Sequence, residues 1–128
     1  MSHFTRIKTQ IVEKEYLLKA LGDLGYSYDD SAASPVRGYQ GRQTQAEVKI
    51  ATKNSSYEIG FVKNGASYEV VADWYGIREI RQQEFVAQLN QRYAYYTTRA
   101  KLEEQGFTLV NEENQTDGRI HLVVRRVV

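Results

Sequence analysis

The chain has 128 residues, a net charge of +1 and no cysteine. The length fits one domain, the near-neutral charge gives no general attraction to nucleic acid or an anionic membrane, and the lack of cysteine excludes disulfides, thiolate metal sites and a cysteine nucleophile. The first ten residues, MSHFTRIKTQ, lack the apolar run of a signal peptide, and no segment approaches the roughly 18 apolar residues of a membrane span. We therefore expect a single soluble, intracellular domain over residues 1–128, without membrane insertion.

The first quarter of the chain predicts a strand followed by a helix. Residues 3–11 alternate in character and are rich in β-branched side chains, which is typical of a strand. Residues 13–24 change to a helical period, and Gly25 can then take the left-handed conformation that ends a helix. A short strand begins at residues 26–28. Residues 29–35, which include the only proline, predict a surface loop.

The middle of the chain predicts an antiparallel meander of three strands, at residues 45–52, 57–63 and 67–73. Ala46, Val48 and Ile50 alternate on one face of the first strand. Asn64-Gly65 is a strong signal for a two-residue hairpin turn, because both turn positions need positive φ.

A second helix is predicted at residues 78–105 and a last hairpin follows it. Gly106 ends the helix, and strands at residues 107–111 and 119–127 flank a polar loop at 112–118. The stripe expected to be buried along this helix consists of Phe85, Leu89, Tyr93, Tyr96 and Ala100.

The order β-α-β-β-β-β-α-β-β predicts an α+β fold with a mostly antiparallel sheet and two helices packed on one face. The other face of the sheet would then be partly open and available for binding.

Residues that could carry catalysis or hold a metal are few. His3 and His121 lie at opposite ends of the chain and would be neighbours only if the terminal strands paired. Asp73 is the one carboxylate expected to be partly buried, and its ordinary role is to cap a strand-to-helix turn. We predict no catalytic residue, no metal site and no cofactor.

The segment RGYQGR, residues 37–42, is the best candidate for an anion site. It lacks the phosphate-loop pattern and the strand-to-helix setting, but Arg37 and Arg42 could hold an anion while Tyr39 stacks on a base or on a partner's side chain. The alternative is a hairpin loop whose glycines serve the turn and whose arginines serve solubility.

Residues 92–99 interleave arginines with tyrosines, as single-strand nucleic-acid binders do. The helical period places Tyr93 and Tyr96 on the buried stripe, so Tyr95 alone would remain with Arg92 and Arg99 on another side. One exposed ring is a poor stacking platform, so this segment does not favour nucleic acid as a partner.

The only tryptophan, Trp74, ends the third strand of the meander and raises the choice between core lid and binding platform. Alternation puts Val70, Ala72 and Trp74 on the core side, which makes Trp74 the lid and Tyr75 the exposed residue beside the 37–42 loop. One sheet face, rimmed by Trp74 and Tyr75, would resemble a protein interface if it gathers Tyr57, Tyr68, Arg119, His121 and Arg125.

The full pattern resembles one family. The segments that carry the resemblance are MSHFTRIKTQ, LLKALGDLGY, VRGYQG, YEIGFVKNGASYEVVADWYGI, FVAQLNQRYAY and GRIHLVVRR. Together they are similar to the hypothetical chloroplast reading frame thirty-five family, also called domain of unknown function 1257, of cyanobacteria and of plastids of red algae and related lineages. The resemblance implies a cyanobacterial or plastid origin, a cytoplasmic or stromal location, and no activity or catalytic residue to carry over. It also implies an association with an AAA-type ATPase.

The sequence thus predicts a non-enzymatic accessory protein that binds a protein partner, within a photosynthesis-related or AAA-ATPase-associated complex. The predicted contacts are the open sheet face and the residues Arg37, Tyr39, Arg42, Trp74 and Tyr75. The alternative is a binder of a small anionic ligand or nucleotide through the Arg37–Arg42 loop, and an enzyme using Asp73 or His121 comes third.

Overall fold

The computed structural model describes residues 4–31, 34–38, 43–116 and 119–126. Its helices are α1 (Lys14–Asp23) and α2 (Gln82–Glu104). Its strands, in chain order, are β1 (Thr5–Lys8), β2 (Tyr28–Asp29), β3 (Ser34–Arg37), β4 (Gln43–Ala46), β5 (Val48–Ala51), β6 (Glu58–Asn64), β7 (Ser67–Ala72), β8 (Phe107–Asn114) and β9 (Ile120–Arg126). No helix among the described residues is long and apolar enough to cross a membrane.

Five strands form an antiparallel central sheet in the order β1-β7-β6-β5-β2. Its register pairs Phe61 with Val70 and Ile59 with Ala72, so these four side chains share one face. The strands β3 and β4 form a separate hairpin, as do β8 and β9. The predicted α+β class, with mostly antiparallel strands, is confirmed.

The two helices cover the face that carries Phe61 and Val70. Leu17 and Leu21 of α1 and Leu89 of α2 are fully buried in one core with that face. Phe85 of α2 lies at the centre of an aromatic cluster whose other rings are those of Tyr26, Phe61 and Trp74. The prediction of two helices on one face is therefore correct.

The opposite face, which was predicted to be partly open, is covered at its middle. The hairpin β3–β4 lies there, with Val36 and Ala46 buried. A Cβ added at Gly60 would stand 2.4 Å from Cγ2 of Val36 and 3.0 Å from Cβ of Ala46. Glycine in the middle of an apolar strand marks such a close approach.

The hairpin exists because the strand predicted at residues 45–52 breaks at Glu47. Ala46 ends β4 and Val48 begins β5, so the chain leaves the small sheet and enters the large one at this residue. β3 begins at the end of the segment predicted as a loop, residues 29–35, and pairs with β4 from Ser34↔Ala46 to Arg37↔Gln43. Pro35 is tolerated because β3 has a single partner strand, β4, among the described residues.

The three glycine positions that were predicted to turn the chain do so. Gly25, Gly65 and Gly106 have φ values of 86°, 69° and 89°. One detail differs, because Asn64 pairs with Ser67 and the two central turn residues are therefore Gly65 and Ala66.

The last hairpin stands apart from the central sheet and packs on α2. β9 pairs with β8, and β1 pairs with β7, so the two terminal strands do not pair with each other. β8 also extends through Glu112 and Glu113, which the sequence placed in a loop. Tyr95, predicted to be exposed, is 93% buried, since the hairpin covers a second side of α2 that helical periodicity alone left free.

Candidate functional site at Tyr75

A short turn at the end of β7 positions the aromatic pair that the sequence singled out. Asp73 is 1% exposed, and its Oδ1 accepts a hydrogen bond from the backbone N–H of Tyr75 at 3.3 Å. This cap starts a single 3-10 turn, Trp74–Gly76, which closes with a bond from the N–H of Ile77 to the carbonyl of Trp74 at 3.2 Å. The capping role predicted for Asp73 is confirmed.

Trp74 is the lid of the core. Its partly buried ring packs against the core cluster, 6.3 Å from the ring of Phe85 between centroids. Its indole Nε1 is buried, and no acceptor among the described residues lies within hydrogen-bond distance. Since the ring faces inward, Trp74 is not an exposed platform, as the alternation of β7 predicted.

Tyr75, in contrast, is 68% exposed. It stands at the rim of a cleft of about 460 Å³, which is also lined by Lys53, Asn54, Tyr57, Gly76, Arg78 and Glu79. A Cβ at Gly76 would lie 2.2–2.4 Å from three ring carbons of Tyr57, so the buried Tyr57 ring rests directly on the backbone next to Tyr75.

Two hydrogen bonds join the far wall of the cleft to this turn. The N–H of Lys53 donates to Oε2 of Glu79 at 2.8 Å, and Nδ2 of Asn54 donates to the carbonyl of Gly76 at 3.2 Å. Tyr75 is therefore carried on backbone that is fixed from three directions, by Asp73, by the Tyr57 ring and by the 53–54 turn.

Arg37 is bound to a buried carboxylate. Its backbone N–H and its Nε both donate to Oε1 of Glu58 at 3.1 Å, and Nζ of Lys49 lies 3.3 Å from Oε2. Partial burial alone would raise the pKa of Glu58, but the hydrogen bonds from Arg37 and Lys49 outweigh it and hold that pKa below its usual value. Arg37 thus anchors the β3–β4 hairpin to β6.

The predicted site residues are brought together only in part. Tyr39 and Arg42 lie outside the described residues. Gly38, which follows Arg37, is buried against Asp73, since an added Cβ would lie 3.0 Å from the Cβ of Asp73. The 37–38 segment therefore reaches the base of the turn that carries Trp74 and Tyr75.

The aromatic and arginine face predicted from alternation is not one surface. Tyr57 and Tyr68 are buried in the core, at 8% and 4% exposure. Arg119 precedes the separate β9 strand, which carries His121 and Arg125.

The sequence missed two cations beside Tyr75. Arg78 could have been predicted to lie near Tyr75, because it follows Tyr75 by only three residues. Lys53 reaches the cleft only through the fold, because its turn belongs to a different pair of strands.

A second group of polar side chains ties the two helices together. Nε of Arg92 and the hydroxyl of Tyr96, both on α2, donate to Oδ2 of Asp23 at the end of α1, the former at 3.2 Å. Partial burial by itself raises the pKa of Asp23, whereas the bonds from Tyr96 and Arg92 lower it, and the net effect is a lowered pKa. This cluster joins α1 to α2.

Comparison with known proteins identifies relatives over almost the whole length. Residues 20–123 match the family described as "Protein of unknown function (DUF1257)". The chain is 35% identical over 127 residues to "Uncharacterized protein ycf35" of Cyanophora paradoxa and 36% identical over 129 residues to that of Guillardia theta, with 98% of each chain covered. The ycf35 protein of Pyropia yezoensis is 35% identical with the same coverage. These relatives are plastid-encoded, and no solved structure matches the chain.

Proposed function

We propose that this chain, which belongs to the DUF1257 family, acts as a non-enzymatic accessory protein that binds a protein partner at Tyr75. The contact region is the Tyr75 surface, defined as Tyr75, Lys53 and Arg78 around the cleft described above.

The observation that carries the proposal is an aromatic ring that is 68% exposed on rigidly supported backbone. An exposed tyrosine gives a large contact area and loses little conformational entropy when a partner covers it. Tyrosine and arginine are also the residues over-represented among those that dominate binding energy.

The charges around the ring suggest the chemistry of the partner. Lys53 and Arg78 are exposed beside Tyr75, while the carboxylate of Glu79 is occupied by the backbone N–H of Lys53. A partner segment with a carboxylate next to an apolar or aromatic side chain would match this arrangement.

The positions of the two residues considered for catalysis favour binding over chemistry. Asp73 is 1% exposed and caps the Trp74–Gly76 turn. His121 is exposed on β9, opposite Glu113 and away from the Tyr75 cleft. In the part of the chain that the structure describes, neither residue lines the Tyr75 cleft.

The location of the protein belongs to the same proposal. Relatives encoded by plastids support a place in the plastid stroma, or in the cytoplasm of a cyanobacterium. We propose a partner within a photosynthesis-related or AAA-ATPase-associated complex there.

The test is quantitative capture from a lysate of the source organism with three forms of the purified protein. They are the wild type, Tyr75→Ala, and the matched control Tyr28→Ala, which removes a tyrosine that is 44% exposed on β2. We expect one protein to be enriched equally by the wild type and the control, and about tenfold less by Tyr75→Ala.

The captured protein is then purified and its dissociation constant measured by calorimetry against the same three forms. Equal affinity for Tyr75→Ala and the wild type would end the proposal.

The anionic-ligand alternative is less favoured, because the guanidinium of Arg37 already forms an ion pair with Glu58. Its discriminating variant is Arg42→Ala, which leaves the Arg37–Glu58 pair intact. A rise in melting temperature with a nucleotide or phosphorylated metabolite that is lost in Arg42→Ala would support this alternative, and no rise across the panel would remove it.

A further inference from the structure

We propose that β9 accepts an extended segment of a partner protein as a third strand of the C-terminal hairpin. The segment would present apolar side chains towards α2 and acidic side chains on the opposite face. This surface is separate from the Tyr75 surface, and either proposal can fail without the other.

The first observation is a regular strand edge without a described partner strand. β9 pairs with β8 along one edge, and no described strand pairs with its other edge. β8 is interrupted by a bulge at Val110, between the pairs Leu109↔Val124 and Asn111↔Val123, whereas β9 runs through seven residues without one. A bulge disrupts the regular row of backbone hydrogen-bonding groups that an added strand needs, so β9 is the edge suited to an added strand.

The second observation is a cleft of about 330 Å³ under that edge. α2 contacts the hairpin mainly through β8, and the cleft lies between α2 and the first part of β9. On the β9 side of the cleft, Ile120 and Leu122 are only half-buried. On the α2 side, Ala94 and Thr98 are exposed.

A third strand beside β9 would continue the hairpin over α2, since neighbouring strands lie about 4.8 Å apart. Every second side chain of that strand would then point into the cleft. Apolar side chains at these positions would cover Ile120 and Leu122 and remove their exposed apolar surface from water.

The floor of the cleft is fixed in place. Tyr95 is 7% exposed, and its hydroxyl accepts a hydrogen bond from Nη1 of Arg99 at 3.0 Å. Burial, with a hydrogen bond to Glu112 on β8, raises the pKa of Tyr95. The Arg99 bond holds the Tyr95 ring within α2, and the Glu112 bond joins that ring to β8, so the side of the cleft formed by Tyr95 is held from both elements.

The third observation is the charge on the outer face of β9. His121, Val123 and Arg125 alternate there and are exposed, with Val123 at 43%. Arg125 is opposite the uncharged Thr108, whereas His121 is opposite Glu113. Residues 119–126 contain no carboxylate. A partner strand with a carboxylate beside Arg125 would gain an opposite-charge cross-strand pair.

The probe is a fluorescently labelled peptide in which valine and glutamate alternate over seven residues, the length of β9. Two controls accompany it: a peptide of the same composition with valines and glutamates in separate blocks, and one with lysine in place of glutamate. Binding is measured by fluorescence anisotropy, and its position by backbone amide shifts in ¹⁵N-labelled full-length protein.

We expect the alternating acidic peptide to bind at least fivefold more tightly than either control, with amide shifts confined to residues 91–98 and 119–126. Arg125→Glu should weaken the binding of the alternating acidic peptide about fivefold at low salt, and should strengthen the binding of the lysine peptide. Arg81→Glu is the matched control, since this exposed arginine precedes α2 at the end remote from the hairpin. Both variants lie at exposed positions and should fold.

Three results would overturn the proposal. One is the absence of binding up to about 1 mM peptide. Another is an affinity that is the same for the alternating and the block peptide, or the same for the wild type and Arg125→Glu. The last is concentration-dependent self-association by sedimentation that Arg125→Glu abolishes, because β9 would then be occupied by a second copy of the chain.

Discussion

The central sheet and the C-terminal hairpin are both built from antiparallel strands, yet their residues are buried to very different extents. β7 has five buried residues out of six, whereas no described residue of β8 or β9 is fully buried. The sheet is covered on one face by two helices and on the other by β3–β4, while the main contact of the hairpin among the described elements is with α2. Because local stability follows the apolar surface removed from water, the hairpin should open long before the sheet does.

The largest expected effect comes from the centre of the sheet core. Phe85→Ala should lower the free energy of unfolding by about 3–5 kcal/mol, because its ring is 1% exposed and packs among three other rings. Leu122→Ala on the hairpin, the matched control, should cost about 1 kcal/mol. Urea unfolding followed by Trp74 fluorescence measures both, and equal losses would contradict the unequal stability of the two regions.

The second test concerns the cover on the other face of the sheet. Gly60→Ala should cost about 1–3 kcal/mol, because the new methyl group would collide with Val36 and Ala46. Gly60→Ala combined with Val36→Ala should cost less than the sum of the single variants, since the smaller side chain makes room for the methyl. Strict additivity in the same unfolding assay would show that β3–β4 does not press on β6.

The third test uses the pH dependence of the Glu58 pair. The pKa of Glu58 is below its ordinary value of 4.5 in the folded chain, so the unfolded chain takes up a proton first as pH falls. The stabilisation is therefore present above about pH 4.5 and is lost as pH falls through the folded pKa.

Glu58→Gln should cost about 1–2 kcal/mol at neutral pH, and its difference from the wild type should shrink below pH 4.5. Glu84→Gln, whose carboxylate is 67% exposed beside Arg81, should cost less than about 1 kcal/mol. A Glu58→Gln difference that stays constant with pH would argue against the ion pair with Arg37 and Lys49.

The smallest effect is expected where the hairpin meets α2. Tyr95→Phe removes the hydroxyl that bonds to Glu112 of β8 and should cost less than about 1 kcal/mol. The loss should be measured as faster hydrogen exchange at β8 and β9 amides, with β6 and β7 unchanged. Tyr93→Phe is the matched control, because its hydroxyl accepts from the N–H groups of Val12 and Glu13 before α1. Faster amide exchange of the hairpin in Tyr93→Phe, but not in Tyr95→Phe, would contradict the conclusion that Tyr95 holds the hairpin on α2.

The candidate site was predictable where it depends on neighbours along the chain. The alternation of β7 was enough to place Trp74 inside and Tyr75 outside, and the position of Asp73 before the turn was enough to predict its cap. The Lys53 wall of the cleft was not predictable, since it depends on the packing of one turn against another.

Periodicity and glycine therefore determined the α+β class, the two helices, the main strands and the turns at Gly25, Gly65 and Gly106, because these depend on interactions within a few residues. Only the tertiary structure decided that β3–β4 covers the second sheet face, that Arg37 is bound to Glu58 and that Tyr95 is buried. Each of these depends on contacts between segments distant in the chain. Helical and strand periods state which side of an element is apolar, but not how many neighbours will cover it.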